Sequence, residues 1–252
     1  MKSRGNGMLK IKKLKKNFGD AEILKDIDLE IKEGEMVAIM GPSGSGKSTL
    51  LYNISGMDKP TGGEVIFDNM DLSKLTDEEI SDIRLKKMGF IFQNSHLLKN
   101  LTIKDNIILP GFKAGLISRE DVLAYADEII EKVGIDGIKS NDINKVSGGQ
   151  LQRAAICRAL INKPRVIFGD EPTGALNSSS GKEVMDILNK INDEGTTIVI
   201  STHDIRVAAR TERIVFLKDG RILDELNLEK YDEKEVQSRE KLVTTWLEKN
   251  GF

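Results

Sequence analysis

The run Gly41-Pro42-Ser43-Gly44-Ser45-Gly46-Lys47-Ser48, followed by Thr49, fits the pattern G-x-x-x-x-G-K-[ST]. A loop of this composition binds phosphate. Its glycines let the backbone curl so that successive N–H groups converge on the oxygens of an anion. A helix beginning in the loop aims the positive end of its dipole at the same anion. Lys47 then places a point charge on the β and γ phosphates of a nucleotide, and the Ser48 hydroxyl is a ligand for Mg2+. A second pair of groups closes the apolar run Arg165-Val166-Ile167-Phe168-Gly169-Asp170-Glu171. Alone, two adjacent acids read as the turn after a strand. Beside a phosphate loop, Asp170 is placed to hold Mg2+ through water. Glu171, one residue on, points elsewhere and can orient and deprotonate an attacking water. The chain has no N-K-x-D guanine reader, because Asn162-Lys163-Pro164-Arg165 lacks the acid, so ATP is favoured over GTP.

These groups need elements to hold them. Met36–Met40 is a continuous apolar run, the pattern of a strand buried on both faces, and it feeds the loop directly. Leu50, Leu51 and Ile54 then mark one face of a helix. Upstream, Leu9–Phe18 and Ile23–Ile31 alternate with period two, as half-buried strands do. Seven basic residues precede the first acid, Asp20. They read as the solvated face of an edge strand guarded by lysines, in preference to a membrane-surface patch. Asp58 to Gly63 is turn chemistry before a short strand at Glu64–Phe67. Thr76-Asp77-Glu78-Glu79 is a capping box for a helix through about Lys87, and Gly89–Gln93 is strand-like.

From about Asn94 to Leu160 the pattern turns helical, with Val122, Ala126, Ile129, Ile130 and Val133 at helix spacing. Val166–Phe168 and Thr197–Ile200 restore short β runs, and Ile214–Leu217 with Arg221–Leu223 reads as a hairpin. The tail Glu233–Lys249 sets Val236, Val243, Trp246 and Leu247 near one helix face that packs on the core, with Trp246 as a core residue. Cys157 packs as a small hydrophobe. This order predicts an α/β sheet core with a helical arm.

Composition excludes several classes. A chain of 252 residues suits one large α/β domain, or one domain with an inserted subdomain. Its 38 basic and 40 acidic residues give a net charge of −2, which argues against nucleic acid as a partner. One cysteine rules out an internal disulfide and fits a reducing compartment. No apolar stretch approaches the ~18–20 residues that cross a bilayer, and the first residues carry charge without the apolar core of a secretory signal.

With Val146-Ser147-Gly148-Gly149-Gln150 added, the motifs make the chain resemble the nucleotide-binding subunit of an ABC transporter over essentially residues 8–225. The resemblance implies one ABC ATPase domain across 1–252, α/β in class. It has a P-loop NTPase core (a RecA-like mixed sheet with flanking helices) from 1–93 and 161–225. An antiparallel β subdomain, a helical signature subdomain at 94–160 and a helical tail at 226–252 complete it. It implies that Phe18 stacks on adenine while Gly41, Pro42, Ser43, Gly44, Ser45, Gly46, Lys47, Ser48 and Thr49 hold the rest of ATP. Gln93 matches the glutamine that senses Mg2+ and the attacking water, and His203 matches the histidine that touches the γ-phosphate. The implied catalytic set is Glu171, His203 and Gln93, and the implied Mg2+ set is Ser48, Gln93 and Asp170.

Ser147, Gly148, Gly149 and Gln150 match the signature, a second anion nest that in the family grips the nucleotide of the other subunit. ATP and Mg2+ as cofactors, an ATP-dependent homodimer and a separate integral-membrane permease follow from the resemblance. So does a peripheral position at the cytoplasmic face of the cell membrane, with the permease contacted near Gln93–Pro110. Two departures stand out. Val146 replaces a leucine, and Asn177 replaces the aspartate of a segment that crosses the dimer interface, keeping an oxygen and losing a charge. Thr173-Gly174 and the stretches 92–98 and 101–107 resemble exporters and extractors of the macrolide, lipoprotein and antimicrobial-peptide type. That likeness implies a peptide, lipopeptide or other amphiphile as cargo, with antimicrobial-peptide resistance as one role. A regulatory ATPase that signals across the membrane without moving cargo would keep every motif. Translation-factor and DNA-repair architectures need two motif sets or long coiled coils, which this chain lacks.

Overall fold

The computed structural model describes residues 7–251. Lys2 and Arg4, two of the basic residues ahead of Asp20, lie outside them. The elements run β1 (Gly7–Phe18), β2 (Ala21–Lys32), β3 (Met36–Met40), α1 (Lys47–Ile54), β4 (Gly62–Phe67), β5 (Met70–Asp71) and α2 (Asp77–Lys87). Next come β6 (Met88–Phe92), α3 (Ile103–Ala114), α4 (Arg119–Lys132), α5 (Gly148–Leu160), β7 (Val166–Asp170) and α6 (Ser178–Asp193). The chain closes with β8 (Thr197–Ser201), α7 (Ile205–Ala208), β9 (Arg213–Lys218), β10 (Arg221–Asn227) and α8 (Val236–Lys249).

Two sheets carry the fold. The antiparallel one has the order β2-β1-β4-β5, and the larger mixed one has the order β10-β9-β3-β8-β7-β6. In the mixed sheet β9, β3, β8, β7 and β6 are parallel, and β10 pairs antiparallel at the edge. Every residue of β3 and β8 is buried, which is why these strands read as unbroken apolar runs. The architecture is the α/β class expected, with an antiparallel β layer and a helical arm of α3, α4 and α5.

The strand order decides where chemistry occurs. In an open parallel sheet, ligands bind beyond the carboxyl ends of the strands. Here β3, β8 and β7 are neighbours, with Ile39 in register with Ser201 and Ser201 in register with Asp170. The phosphate loop, the Asp170-Glu171 pair and the Ser201-Thr202-His203 segment therefore emerge side by side.

Two expectations are corrected. Leu9–Phe18 is indeed a strand, but β1 lies between β2 and β4 and is not an edge. Its lysines answer acids on neighbouring strands instead of guarding an open flank. Lys10 pairs with Glu30, Lys12 with Glu64, Lys13 with Asp28 and Lys15 with Asp26, while Lys16 is buried on Asp58. In the tail, Val243 and Leu247 are buried as expected, but Trp246 is only partly so. Its ring meets Phe216 edge-on at 5.9 Å, and its indole N–H donates to Asp224 at 2.7 Å, so the polar edge stays near solvent. The tail is anchored by Arg239, whose buried guanidinium donates to the carbonyls of Ala209, Leu228 and Thr211.

Candidate functional site

The phosphate loop is held open by close backbone packing. A Cβ on Gly41 would lie 2.0 Å from the Leu217 carbonyl oxygen, so only glycine lets the loop leave β3 here. Gly46, the N-cap of α1, has φ +101°, a conformation that suits glycine and turns the following N–H groups into the loop. Lys47 Nζ donates to the carbonyls of Gly41 at 2.9 Å and Pro42 at 3.0 Å, which arches the side chain back over the loop. Burial lowers its pKa from the ordinary lysine value, and the nearby Glu171 and Asp170 carboxylates oppose that shift. Ser45 Oγ is buried beside Gly41, away from the cleft lining.

Asp170, the last residue of β7, collects hydroxyls. Its Oδ1 accepts from Ser48 Oγ at 2.9 Å and from Ser201 Oγ, and its Oδ2 accepts from Tyr52 at 2.6 Å. Burial and this contact push the Tyr52 phenol up to about 12, so it keeps its proton and acts as the donor. Ser48 and Asp170 form a hard oxygen pair of the kind that takes Mg2+, which keeps several waters and phosphate oxygens as further ligands. Among the described residues no group of three His, Cys, Asp or Glu could hold a metal. The residues fit the ion.

Glu171 sits at φ +47°, a left-handed conformation uncommon for a non-glycine residue, which turns its side chain away from that of Asp170. Its N–H donates to the Ser201 carbonyl at 3.0 Å. Its Oε1 lies 2.8 Å from His203 Nδ1, and its Oε2 accepts from Thr202 Oγ1 at 3.4 Å. Loop, carboxylate and imidazole face one cleft of about 870 Å3, lined by Pro42, Lys47, Ser48, Glu171 and His203, with Phe18 and Ile23 at one side. The Phe18 ring is 56% exposed and lies over Lys16 Nζ, 4.9 Å from the ring centroid. One ring face is thus free to stack.

Other expected residues lie elsewhere. Gln93 stands just past β6, outside the lining of this cleft, where a methyl on Gly174 would come within 3.0 Å of its Nε2. Ser147 caps α5, accepting from the Gln150 N–H while its own N–H donates to Gln150 Oε1 at 2.8 Å. The N–H groups of Gly148 and Gly149 therefore stand at a capped helix start. Among the residues lining the cleft, none comes from 147–150. Asn177 caps α6 by accepting from the Ser180 N–H, a role aspartate would also fill.

Sequence reasoning missed two contributors. Tyr52 stands four residues after Ser48 on α1 and shares its face, a relation that has meaning only once Asp170 is placed opposite. Gln152, 2% exposed on α5, donates to the Phe92 carbonyl at 2.9 Å and the Pro172 carbonyl at 2.7 Å. A glutamine on the apolar face of a helix was the available signal.

A family profile described as ABC transporter matches residues 24–174. The chain is 45% identical over 219 residues to the lipoprotein-releasing system ATP-binding protein LolD of Leptospira interrogans, across 86% of this chain and 92% of that one. It is also 45% identical over 222 residues to the macrolide export ATP-binding/permease protein MacB of Mannheimia succiniciproducens. That match covers 86% of this chain and 34% of MacB, so the chain spans about a third of that relative. A solved dimeric, post-hydrolysis state of the ATP-binding cassette MJ0796 bound to ADP and Pi superposes with a TM-score of 0.81 at 44% identity. It covers 89% of this chain and 100% of that one, which comes from Methanocaldococcus jannaschii.

Proposed function

The chain belongs to the ABC transporter family as an ATP-binding, ATP-hydrolysing subunit, and from that premise we propose that two copies close on ATP to drive a separately encoded membrane permease. One observation carries the reading. The cleft of one chain gathers the phosphate loop, Glu171 and His203, but the capped anion nest at Ser147-Gly148-Gly149-Gln150 lies outside it. A second copy is what brings that nest to the nucleotide, head to tail.

Each residue then has a task. The loop N–H groups and Lys47 bind the phosphates, and Phe18 stacks on adenine from its open face. Ser48 and Asp170, joined by Gln93 as the family likeness implies, would hold Mg2+, which when bound supplies charge neutralisation at the β and γ phosphates. Glu171, held by Thr202 and His203, orients a water and accepts its proton, and His203 faces the γ-phosphate. Ser147, Gly148, Gly149 and Gln150 stabilise the charge of that phosphate from the partner side. Once it is cleaved, the grip between copies loosens and the dimer opens. The core at 1–93 and 161–225 supplies the cleft, the subdomain at 94–160 supplies the nest, and the tail at 226–252 closes the core.

The motion reaches the permease through the groove between α2, α3 and α5, of about 530 Å3, lined by Phe92, His96, Pro110, Lys113 and Arg158. Among the described residues no helix is long and apolar enough to cross a membrane. The chain works at the cytoplasmic face, docked on a partner that supplies the spans. The names of LolD and MacB, a lipoprotein-releasing and a macrolide export protein, support an amphiphilic cargo. The likeness of residues 92–98 and 101–107 narrows the proposal to a peptide, lipopeptide or other amphiphile, with antimicrobial-peptide resistance as one role. The test is co-purification with a permease, then flux of a labelled lipopeptide into proteoliposomes. ATP-dependent flux that Glu171→Gln abolishes is the expected result. ATPase activity responsive to the permease with no flux of any amphiphile would point to transmembrane signalling instead.

A further inference from the structure

We propose that Tyr52 is a positioning residue for Asp170, clamping its carboxylate in the orientation that serves a divalent cation beside Ser48. The inference rests on the reading of Asp170 as the Mg2+ carboxylate. Ser48 and Tyr52 are four residues apart on α1, so their side chains lie on one face. Each donates to a different oxygen of the same carboxylate, Ser48 to Oδ1 at 2.9 Å and Tyr52 to Oδ2 at 2.6 Å. Ser201 adds a second donor to Oδ1.

The Tyr52 contact differs from the other two. The terminal torsion of an aspartate is broad, so a carboxylate held by one oxygen still swings about it. Both serine hydroxyls hold Oδ1, and Tyr52 alone among these donors fixes Oδ2. The tyrosine ring is half-buried and packs against the apolar cluster that joins the two sheets, with Leu24, Leu50, Leu51 and Phe168 among its members. That packing restricts the directions from which the phenol can donate. If Ser48 turns its oxygen lone pairs toward a cation, the clamp from Tyr52 persists. The phosphate-loop pattern ends at Ser48 and does not require a hydroxyl here; phenylalanine would pack the same way and leave Oδ2 unheld.

The test uses the full chain with the non-hydrolysable analogue AMP-PNP, titrated with Mn2+ and read by electron paramagnetic resonance against nucleotide alone. Thermal melting without divalent ion is measured in parallel. Tyr52→Phe is expected to raise the Mn2+ concentration for half-saturation about tenfold, as loss of an outer hydrogen bond to a metal ligand does. Its melting temperature should fall by no more than about 5 °C. A half-saturation equal to wild type overturns the inference, and so does a lower melting temperature without a change in Mn2+ binding, which would leave Tyr52 a packing role only. Asp170→Asn separates the two levels. If it shifts Mn2+ binding while Tyr52→Phe does not, the inference about Tyr52 alone fails. If Asp170→Asn also binds Mn2+ as wild type does, the reading of Asp170 fails and takes the inference with it.

Discussion

At the scale of single residues, the site divides into groups whose type is dictated by chemistry and groups dictated by position. A phosphate loop needs glycines, a lysine and a hydroxyl at set spacing, so Gly41 to Thr49 could be found without a fold. Asp170 and Glu171 became informative only beside that loop. Tyr52 and Ser201 were not legible, because their shared partner Asp170 lies 118 and 31 residues away along the chain. Phe18 offers a direct check. An aromatic stack contributes about 0.5–1.5 kcal/mol, so Phe18→Leu should raise the KM for ATP by roughly two- to twelvefold. The kcat should stay near wild type, since the ring touches no reacting atom, and steady-state ATPase kinetics give both values.

At the scale of elements, α5 links Ser147 to the segments that carry Gln93 and Glu171. Its N-terminus carries Ser147 and its middle carries Gln152, whose single amide ties the carbonyl before Gln93 to the carbonyl after Glu171. Gln152→Leu strands both carbonyls in the interior at a cost of about 1–3 kcal/mol each. The expected result is a lower melting temperature together with a reduced kcat at little-changed KM. The same helix carries Cys157, fully buried and hydrogen-bonded to the Ile129 carbonyl, with burial pushing the thiol pKa up. A thiolate is scarce there, so Ellman's reagent at pH 8 should leave the native protein unmodified and label it fully in guanidinium. Periodicity identified most of these elements, since alternation and helix spacing are local. It could not say which strand neighbours which, and that is why β1 read as an edge. Only the pairing with β4, more than forty residues downstream, places its lysines inside a sheet.

At the scale of the whole molecule, the sequence has no apolar stretch long enough to cross a bilayer, which taken alone argues against a membrane role, while the balanced charge of −2 argues against nucleic acid. The cleft changes what those facts mean. A chain that holds the phosphate loop and Glu171 in one cleft but keeps residues 147–150 outside it is, on the function proposed above, half of a composite site. Its membrane role comes through association, first with a second copy and then with a permease. The most direct measurement of this claim is the mass of Glu171→Gln in solution, by light scattering, with and without ATP. On the proposed reading the substitution removes the base and leaves the phosphate loop unchanged, so ATP should bind and hydrolysis should fall at least a hundredfold. The account predicts a shift from the 28.0 kDa monomer to a stable species of twice that mass when ATP is added. An unchanged mass in saturating ATP, or wild-type turnover in this variant, would contradict it.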